Sequence, residues 1–334
     1  MTKKNLDDIQ VSMEKIIEEQ HYKDFDTWIH NFSLNLNDIW NEPSAHKLNP
    51  NYNSQISNFP KSAIVIGKGP SVKKFNHLEM LADSNYDGCI ICSDGMLPRV
   101  LKSGITPEKF PYFYVVTIDP DPSTRQWYDE EIVDKFGSKI NGIFTTVSHP
   151  PTVLRAREAG INIHWIHSLF DYHEGIKSFN YISGKIVRSK NHNYGLPAIQ
   201  TGGNVGTSSW FIGWKILQCK EITLIGINHG WEEDDPWDLI VSHNNMLDIK
   251  DIDQKKPSFK KLFEKVFNPE FNCFFVYDPI FRFYSNAFRE FISRSPEWLT
   301  TINATEGGSI FGEKIICKKF SDFLSENKGI SKSK

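Results

Sequence analysis

The chain has little of what would place it in a specialised class. None of its apolar runs approaches the roughly 20 residues that a membrane-spanning helix needs. Its start, MTKKNLDDIQVSMEKIIEEQ, mixes charges where a secretory leader carries an apolar core. Cysteine is scarce, at 5 in 334 residues, too thin for a disulfide framework. Cys89 and Cys92 make one C-x-x-C, but no second pair completes a zinc set, and on a buried strand residues three apart face opposite sides. Charge of one sign is missing as well: a formal net charge of -3 gives no electrostatic case for nucleic acid. There is no Gly-x-Ser-x-Gly elbow and no Walker loop. These absences lead us to expect a cytoplasmic protein with neither a membrane span nor a nucleic-acid partner.

What is present is an ordinary globular balance, 39% apolar and 24% charged, enough for one large domain with additions. Val11, Met13, Ile16 and Ile17, then Phe25, Trp28, Ile29 and Phe32, recur at helical spacing. The polar stretch NPNYNSQISNFPK reads as a linker. Beyond it, short apolar runs alternate with amphipathic segments. Strands are expected at Ala63–Ile66, Cys89–Cys92, Tyr112–Ile118, Gly142–Thr146, Asn162–Ile166 and Glu221–Ile225. Helices are expected near Leu78–Asp83, Leu97–Ser103, Thr124–Phe136, Pro151–Ala159 and Gly206–Gln218. Such alternation implies parallel strands joined by crossovers, an α/β, doubly wound, mostly parallel Rossmann-like sheet with N-terminal and C-terminal helical additions. The division expected is a helical segment at 1–58, a nucleotide-binding domain at 59–316 and a tail at 317–334. The polar stretch Asp234–Lys261 reads as an insertion or lid near 232–260, followed by helices at Phe259–Phe267 and Ile280–Ser293.

In such a sheet, ligands bind beyond the carboxyl ends of the strands. The first strand runs into Gly67, Lys68, Gly69, Pro70 and Ser71. Two glycines let backbone N–H groups approach an anion, Lys68 adds charge, and Ser71 caps a helix or bonds a phosphate; a tight structural turn is the competing reading. The second strand ends in Ser93, Asp94 and Gly95, a carboxylate suited to a ribose or base edge, or to helix capping. The third ends in IDPDPS. Asp119 and Asp121 each precede a proline, which favours extended backbone and points both carboxylates one way, a pair suited to Mg²⁺ bridging phosphates, or simply a rigid acidic turn. QTGGNVGTSSW offers Gly202, Gly203 and Asn204 as a second anion or sugar cradle at a helix start, or as close packing. The strand ITLIG delivers Asn228, placed to read a base or sugar hydroxyl, and His229, a candidate general base. His149, His164 and His167 lack metal-ligand spacing and read as structural.

In this order, GKGPS, SDG, GITPEKFPYFYVVTIDPDPS, GGNVGTSS, LIGINHG and NATEGGSIFG resemble the motility accessory factor (Maf) flagellin glycosyltransferases. That superfamily also holds the archaeal 6-hydroxymethyl-7,8-dihydropterin diphosphokinases (MptE-like), and the GxGPS strand resembles that of bacterial CMP-sialic acid transferases. The resemblance covers roughly residues 40 to 315. It implies a Rossmann-like core in which Gly67, Gly69, Pro70 and Ser71 meet the nucleotide, Asp119 ends the acidic strand, and Gly202 and Gly203 form the second loop. In one branch it implies transfer of a nonulosonic acid from a CMP-activated donor to a protein hydroxyl of a flagellin-like acceptor, with Glu306 framing a sugar. In the other it implies ATP and Mg²⁺ diphosphorylating a pterin. The LIG strand in both branches leads to an acidic residue, where this chain has Asn228, so a non-catalytic nucleotide-binding module is a third expectation. An oligomer is compatible with all three.

Overall fold

The computed structural model describes residues 13–51, 59–169, 178–188, 195–232, 235, 263–277 and 279–327, with side chains from residue 24 onward. The first described element is one long helix, α1 (Met13–Asn41), which carries both apolar series from Met13 onward. Strands and helices then alternate: β1 (Ser62–Ile66), α2 (Ser71–Lys74), α3 (His77–Asp83), β2 (Cys89–Ser93), α4 (Leu97–Lys102) and β3 (Phe113–Thr117). They continue with α5 (Glu131–Phe136), β4 (Asn141–Thr145), α6 (Pro150–Glu158), β5 (Asn162–Leu169), α7 (Phe179–Arg188) and β6 (Ala198–Gln200). After α8 (Val205–Phe211), which ends in a π-helical turn, come β7 (Glu221–Ile225) and β8 (Gly230–Glu232). The chain resumes with β9 (Lys265–Asn268), β10 (Cys273–Tyr277), α9 (Pro279–Ser293), β11 (Thr300–Asn303), β12 (Ile315–Cys317) and α10 (Phe320–Glu326).

Nine strands form one sheet in the order β12-β11-β7-β1-β2-β3-β4-β5-β6, and every neighbouring pair is parallel. The doubly wound parallel sheet expected from the alternation is thus what the chain forms. Burial explains why its strands read as continuous apolar runs. Ile64, Ile66, Ile90 and Cys92 face one core with α1, α3 and α4, while Ala63, Val65, Cys89 and Ile91 face another with α8 and α9. The two cysteines accordingly point to opposite sides, with no shared chemistry.

Three departures have physical causes. The helix expected at Phe259–Phe267 overlaps β9, which pairs antiparallel with β10 in a small sheet of order β8-β10-β9; cross-strand pairing overrides a local pattern that suits either state. Most of the expected insertion lies outside the described residues. The expected tail contributes α10, whose Phe320 and Phe323 are wholly buried, so the packed unit continues past 316. At the other end, Phe32 and Ile39 of α1 also belong to the core. No helix among the described residues is long and apolar enough to cross a membrane.

Candidate functional site

Because all nine strands run one way, their carboxyl ends line a single edge. From β1 the chain winds through β2 to β6 on one side, then returns through β7 on the other. The loops after β1 and β7 therefore diverge from a switch point, the place where such sheets open a crevice.

The glycines of GKGPS stand at that point for a reason other than the one expected. The Gly67 N–H donates to the Ile225 carbonyl at 2.9 Å and the Gly69 N–H to the Gly226 carbonyl at 2.8 Å. A side-chain carbon at Gly69 would lie 2.6 Å from the Gly226 carbonyl oxygen and closer still to Asn228 Oδ1. These two N–H groups are engaged in lacing β1 to β7, so they do not serve an anion. Pro70 begins α2, and its carbonyl accepts from the N–H groups of Lys73 and Lys74. Ser71 is buried, and its hydroxyl donates to Asn228 Oδ1 at 3.0 Å.

Asn228 is itself buried and held from behind, its carbonyl accepting from the N–H and hydroxyl of Ser309 at 3.1 and 3.2 Å. Gly308, at φ 72°, allows that approach, because a side-chain carbon there would meet Asn228 O at 2.6 Å. The acid that the resemblance implies at this position would be buried; the amide gives Ser71 an acceptor without a charge. Glu306 is occupied elsewhere: its Oε1 accepts from His77 Nε2 at 3.3 Å and from the Phe320 N–H at 3.1 Å. Burial opposes its ionisation, yet those bonds, with Lys319, hold its carboxyl below the usual range. Through Oε1 it fastens α10.

His229 ends the β7 loop at φ 54°, stacked on Phe281 with ring centres 5.4 Å apart. Burial lowers its pKa to about 3, and its Nδ1 finds no hydrogen-bond partner among the described residues. Such an imidazole is a poor proton acceptor at neutral pH, which counters the expected base role. Gly202 and Gly203 have φ of 56° and 83°, and the Tyr284 ring of α9 fills the place where a Gly203 side chain would stand. Asn204 caps α8, its Oδ1 accepting from the Thr207 N–H at 2.9 Å. Here too the loop is packed, and its hydroxyls turn inward.

Across the crevice the picture changes. Asp94 follows β2 and is 6% exposed. Its Oδ1 accepts from the Gly95 N–H at 2.7 Å, while Oδ2 has no partner among the described residues. Burial pushes its pKa up to about 7, the Asp119 charge adds to that, and the Gly95 N–H, Thr117 and Lys68 counteract it. Ser93 Oγ is likewise buried without a partner. Lys68 reaches to this side, its ammonium 4.6 Å from the centre of the Trp127 ring. Burial lowers its pKa and Asp94 raises it. No carboxylate among the described residues stands within 4.0 Å of it.

Asp119, on the exposed mouth after β3, accepts the Asp121 N–H at 2.9 Å, and Asp121 accepts the Ser123 N–H at 2.8 Å. Desolvation raises the Asp119 pKa, helped by the charges of Asp121 and Asp24. One oxygen of each carboxylate is thus engaged in its own turn. No group of three or more His, Cys, Asp or Glu among the described residues is arranged to hold a metal. With two carboxylates at this mouth, a Mg²⁺ here would depend on substrate phosphates for its remaining ligands, and we derive no step through one.

Sequence reasoning missed Trp127, which lies in a 3₁₀ helix (Pro122–Trp127) inside a stretch expected as α-helix. It also missed Asn31 and Asn35. Their amides donate to the carbonyls of Pro120 and Val147 at 3.1 Å, and of Thr146 and Ser148 at 3.2 and 2.8 Å. Two asparagines four apart beside buried Phe32 and Ile39 were the available signal, a polar pair on an apolar helix face.

A family model described as 6-hydroxymethylpterin diphosphokinase MptE-like matches residues 30–234, from within α1 to just past β8. No curated protein matches the chain. Among solved structures, the chain is similar to the MAf glycosyltransferase from Magnetospirillum magneticum AMB-1, at a TM-score of 0.51 and 15% sequence identity. The likeness covers 81% of this chain and 36% of that one, so this chain spans about a third of the larger protein. At that identity, what is shared is the fold.

Proposed function

The chain belongs to the MptE-like family, and on that premise we propose that it is a nucleotide-dependent transferase working at the β1/β7 crevice. One observation carries the reading: Lys68, a cation with no carboxylate partner, is held at the switch point beside the buried carboxyl of Asp94. A partly desolvated ammonium at the carboxyl edge of a parallel sheet is suited to a phosphate.

The reaction we favour is glycosyl transfer from a CMP-activated nonulosonic acid to a protein hydroxyl. A fold likeness extending over more of the chain than residues 30–234 supports that choice. The acceptor oxygen bonds to the anomeric carbon while the bond from that carbon to the phosphate oxygen breaks, and CMP leaves with the electron pair. Lys68 meets the charge that develops on the departing phosphate. Asp119, exposed at the mouth with its pKa raised by desolvation, takes the acceptor's proton in place of the enclosed His229.

The second reading, diphosphoryl transfer from ATP to a hydroxymethylpterin, is favoured by the description of the family. Mg²⁺ would then arrive as part of the nucleotide substrate. Titration calorimetry with CMP, CDP and ATP, the last with Mg²⁺, separates the readings. CMP or CDP binding that weakens in Lys68→Met supports the first. AMP release from ATP on adding the pterin supports the second. No binding by any of them overturns both.

A further inference from the structure

Three groups in the crevice are left over by the packing that engages the rest: Lys68 Nζ, Asp94 Oδ2 and Ser93 Oγ. A buried polar atom without a partner costs on the order of 1–3 kcal/mol, so two side by side at a strand end call for a reason. Their neighbourhood supplies one. A side-chain carbon placed on Gly95 would sit 3.6 Å from Lys68 Cδ and 3.7–3.8 Å from the Trp127 indole. The lysine stem and the ring therefore lie over the residue next to Asp94, and they help close the carboxyl off from water.

We propose that a ligand phosphate draws Lys68 off Trp127 and uncovers Asp94, which joins the complex in its protonated form and donates a hydrogen bond from Oδ2 to a phosphate oxygen. Binding a nucleotide then takes up a proton. The inference rests on reading the crevice as a phosphate site, and it assigns Asp94 a phosphate-binding role that depends on its proton. The groups facing Asp94 are Lys68 from the β1 loop, Asp119 after β3, Tyr128 beyond the 3₁₀ helix and Cys92 on its own strand. Lys68 is the one cation among them and favours the ionised carboxylate, as do the Gly95 N–H and Thr117. Once a phosphate engages Lys68, that support is shared and a second negative charge stands near, so both changes favour the proton. The empty protein is poised for it, since burial already brings this carboxyl to about 7.

The test is calorimetric titration with CDP at pH 6, 7 and 8, in buffers of different ionisation enthalpy, on wild type and Asp94→Asn. Asparagine is the neutral stand-in, and the ratio of the two affinities cancels the ionisation of CDP itself. At pH 8 the CDP phosphates are already ionised, their last pKa lying near 6. We expect wild type to take up close to one proton at pH 8 and Asp94→Asn none. The ratio of wild-type to variant affinity should fall about fivefold between pH 7 and 8, as the protonated fraction of the free protein drops from about one half to about one eleventh. Lys68→Met should weaken binding at every pH and remove the proton uptake. CDP binding with no proton uptake and a flat ratio overturns this inference and leaves the nucleotide reading standing. Failure of wild type to bind CDP at any pH removes the inference, and failure to bind ATP with Mg²⁺ as well removes its premise. Should Asp94→Asn not fold, the buffer dependence of the wild-type heats alone decides between the same outcomes.

Discussion

The two sides of the crevice are built on opposite rules. Where β1 meets β7, almost every polar group is answered by another part of the chain: Gly67 and Gly69 by the Ile225 and Gly226 carbonyls, Ser71 by Asn228, Asn228 by Ser309. Beyond β2 and β3, a cation rests on an aromatic ring and a buried carboxyl oxygen has no partner among the described residues. The first side has the properties of scaffold, the second those of a place left open for something to arrive. The difference also reassigns the glycines. Those in the most conspicuous motif hold the framework shut, and the reactive groups stand between and across from them.

The comparison can be broken most forcefully at Gly69. A methyl there collides with Gly226 and Asn228, so Gly69→Ala should cost about 3 kcal/mol or more, or prevent folding, in denaturant unfolding. If it is tolerated, the lacing is not what holds β1 to β7. The next effect in size belongs to Asp94. Its folded pKa, about 7, lies above the ordinary 3.8, so the folded protein holds a proton that the unfolded chain releases. Stability is therefore retained below about pH 4, falls as pH rises toward 7, and is flat above. Asp94→Asn should remove that slope and gain on the order of 3 kcal/mol at pH 8 but nothing near pH 4, measured by urea unfolding at both. A difference between the wild-type and Asp94→Asn stability curves that stays constant from pH 4 to 7 would show Asp94 to be ordinarily solvated.

Lys68→Met separates function from framework. It should weaken CDP binding roughly 10- to 100-fold, the range of a charge-assisted hydrogen bond, with a melting temperature close to wild type. A large loss of stability instead would move Lys68 to the scaffold side. The smallest effect is expected at Gly95, where a methyl meets only ordinary contacts beyond 3.6 Å. Gly95→Ala should change stability by less than about 1 kcal/mol, in thermal unfolding. The contrast between the two glycines is the sharpest form of the comparison.

Much of the sheet could be read from the sequence because its strands are buried on both faces. Runs such as AIVI and CIIC are apolar throughout, ITLI is broken only by Thr223, and such runs are bounded by glycine or polar residues, which leaves few alternatives. The small antiparallel sheet was hidden for the opposite reason. In KLFEKVF, apolar residues three and four apart mimic a helix, and only the partner strand β10 settles the state. Within the site, the strand-end rule located Lys68, Asp94 and Asp119 correctly, since position depends on topology. What each does depends on partners far away in sequence. Nothing near GKGPS announces that the Ile225 and Gly226 carbonyls will consume its glycine N–H groups, or that Phe281 will stack on His229. Trp127 was invisible because a ring that carries a lysine looks, locally, like any helical aromatic.

The clasp made by Asn31 and Asn35 has a mechanical consequence. Two amides on one helix hold the peptide between Asp119 and Asp121 and the turn after β4. With 29 residues, that helix is a rod about 43 Å long. A shift of the acidic turn as a ligand settles must therefore either carry this helix along or break those amide bonds.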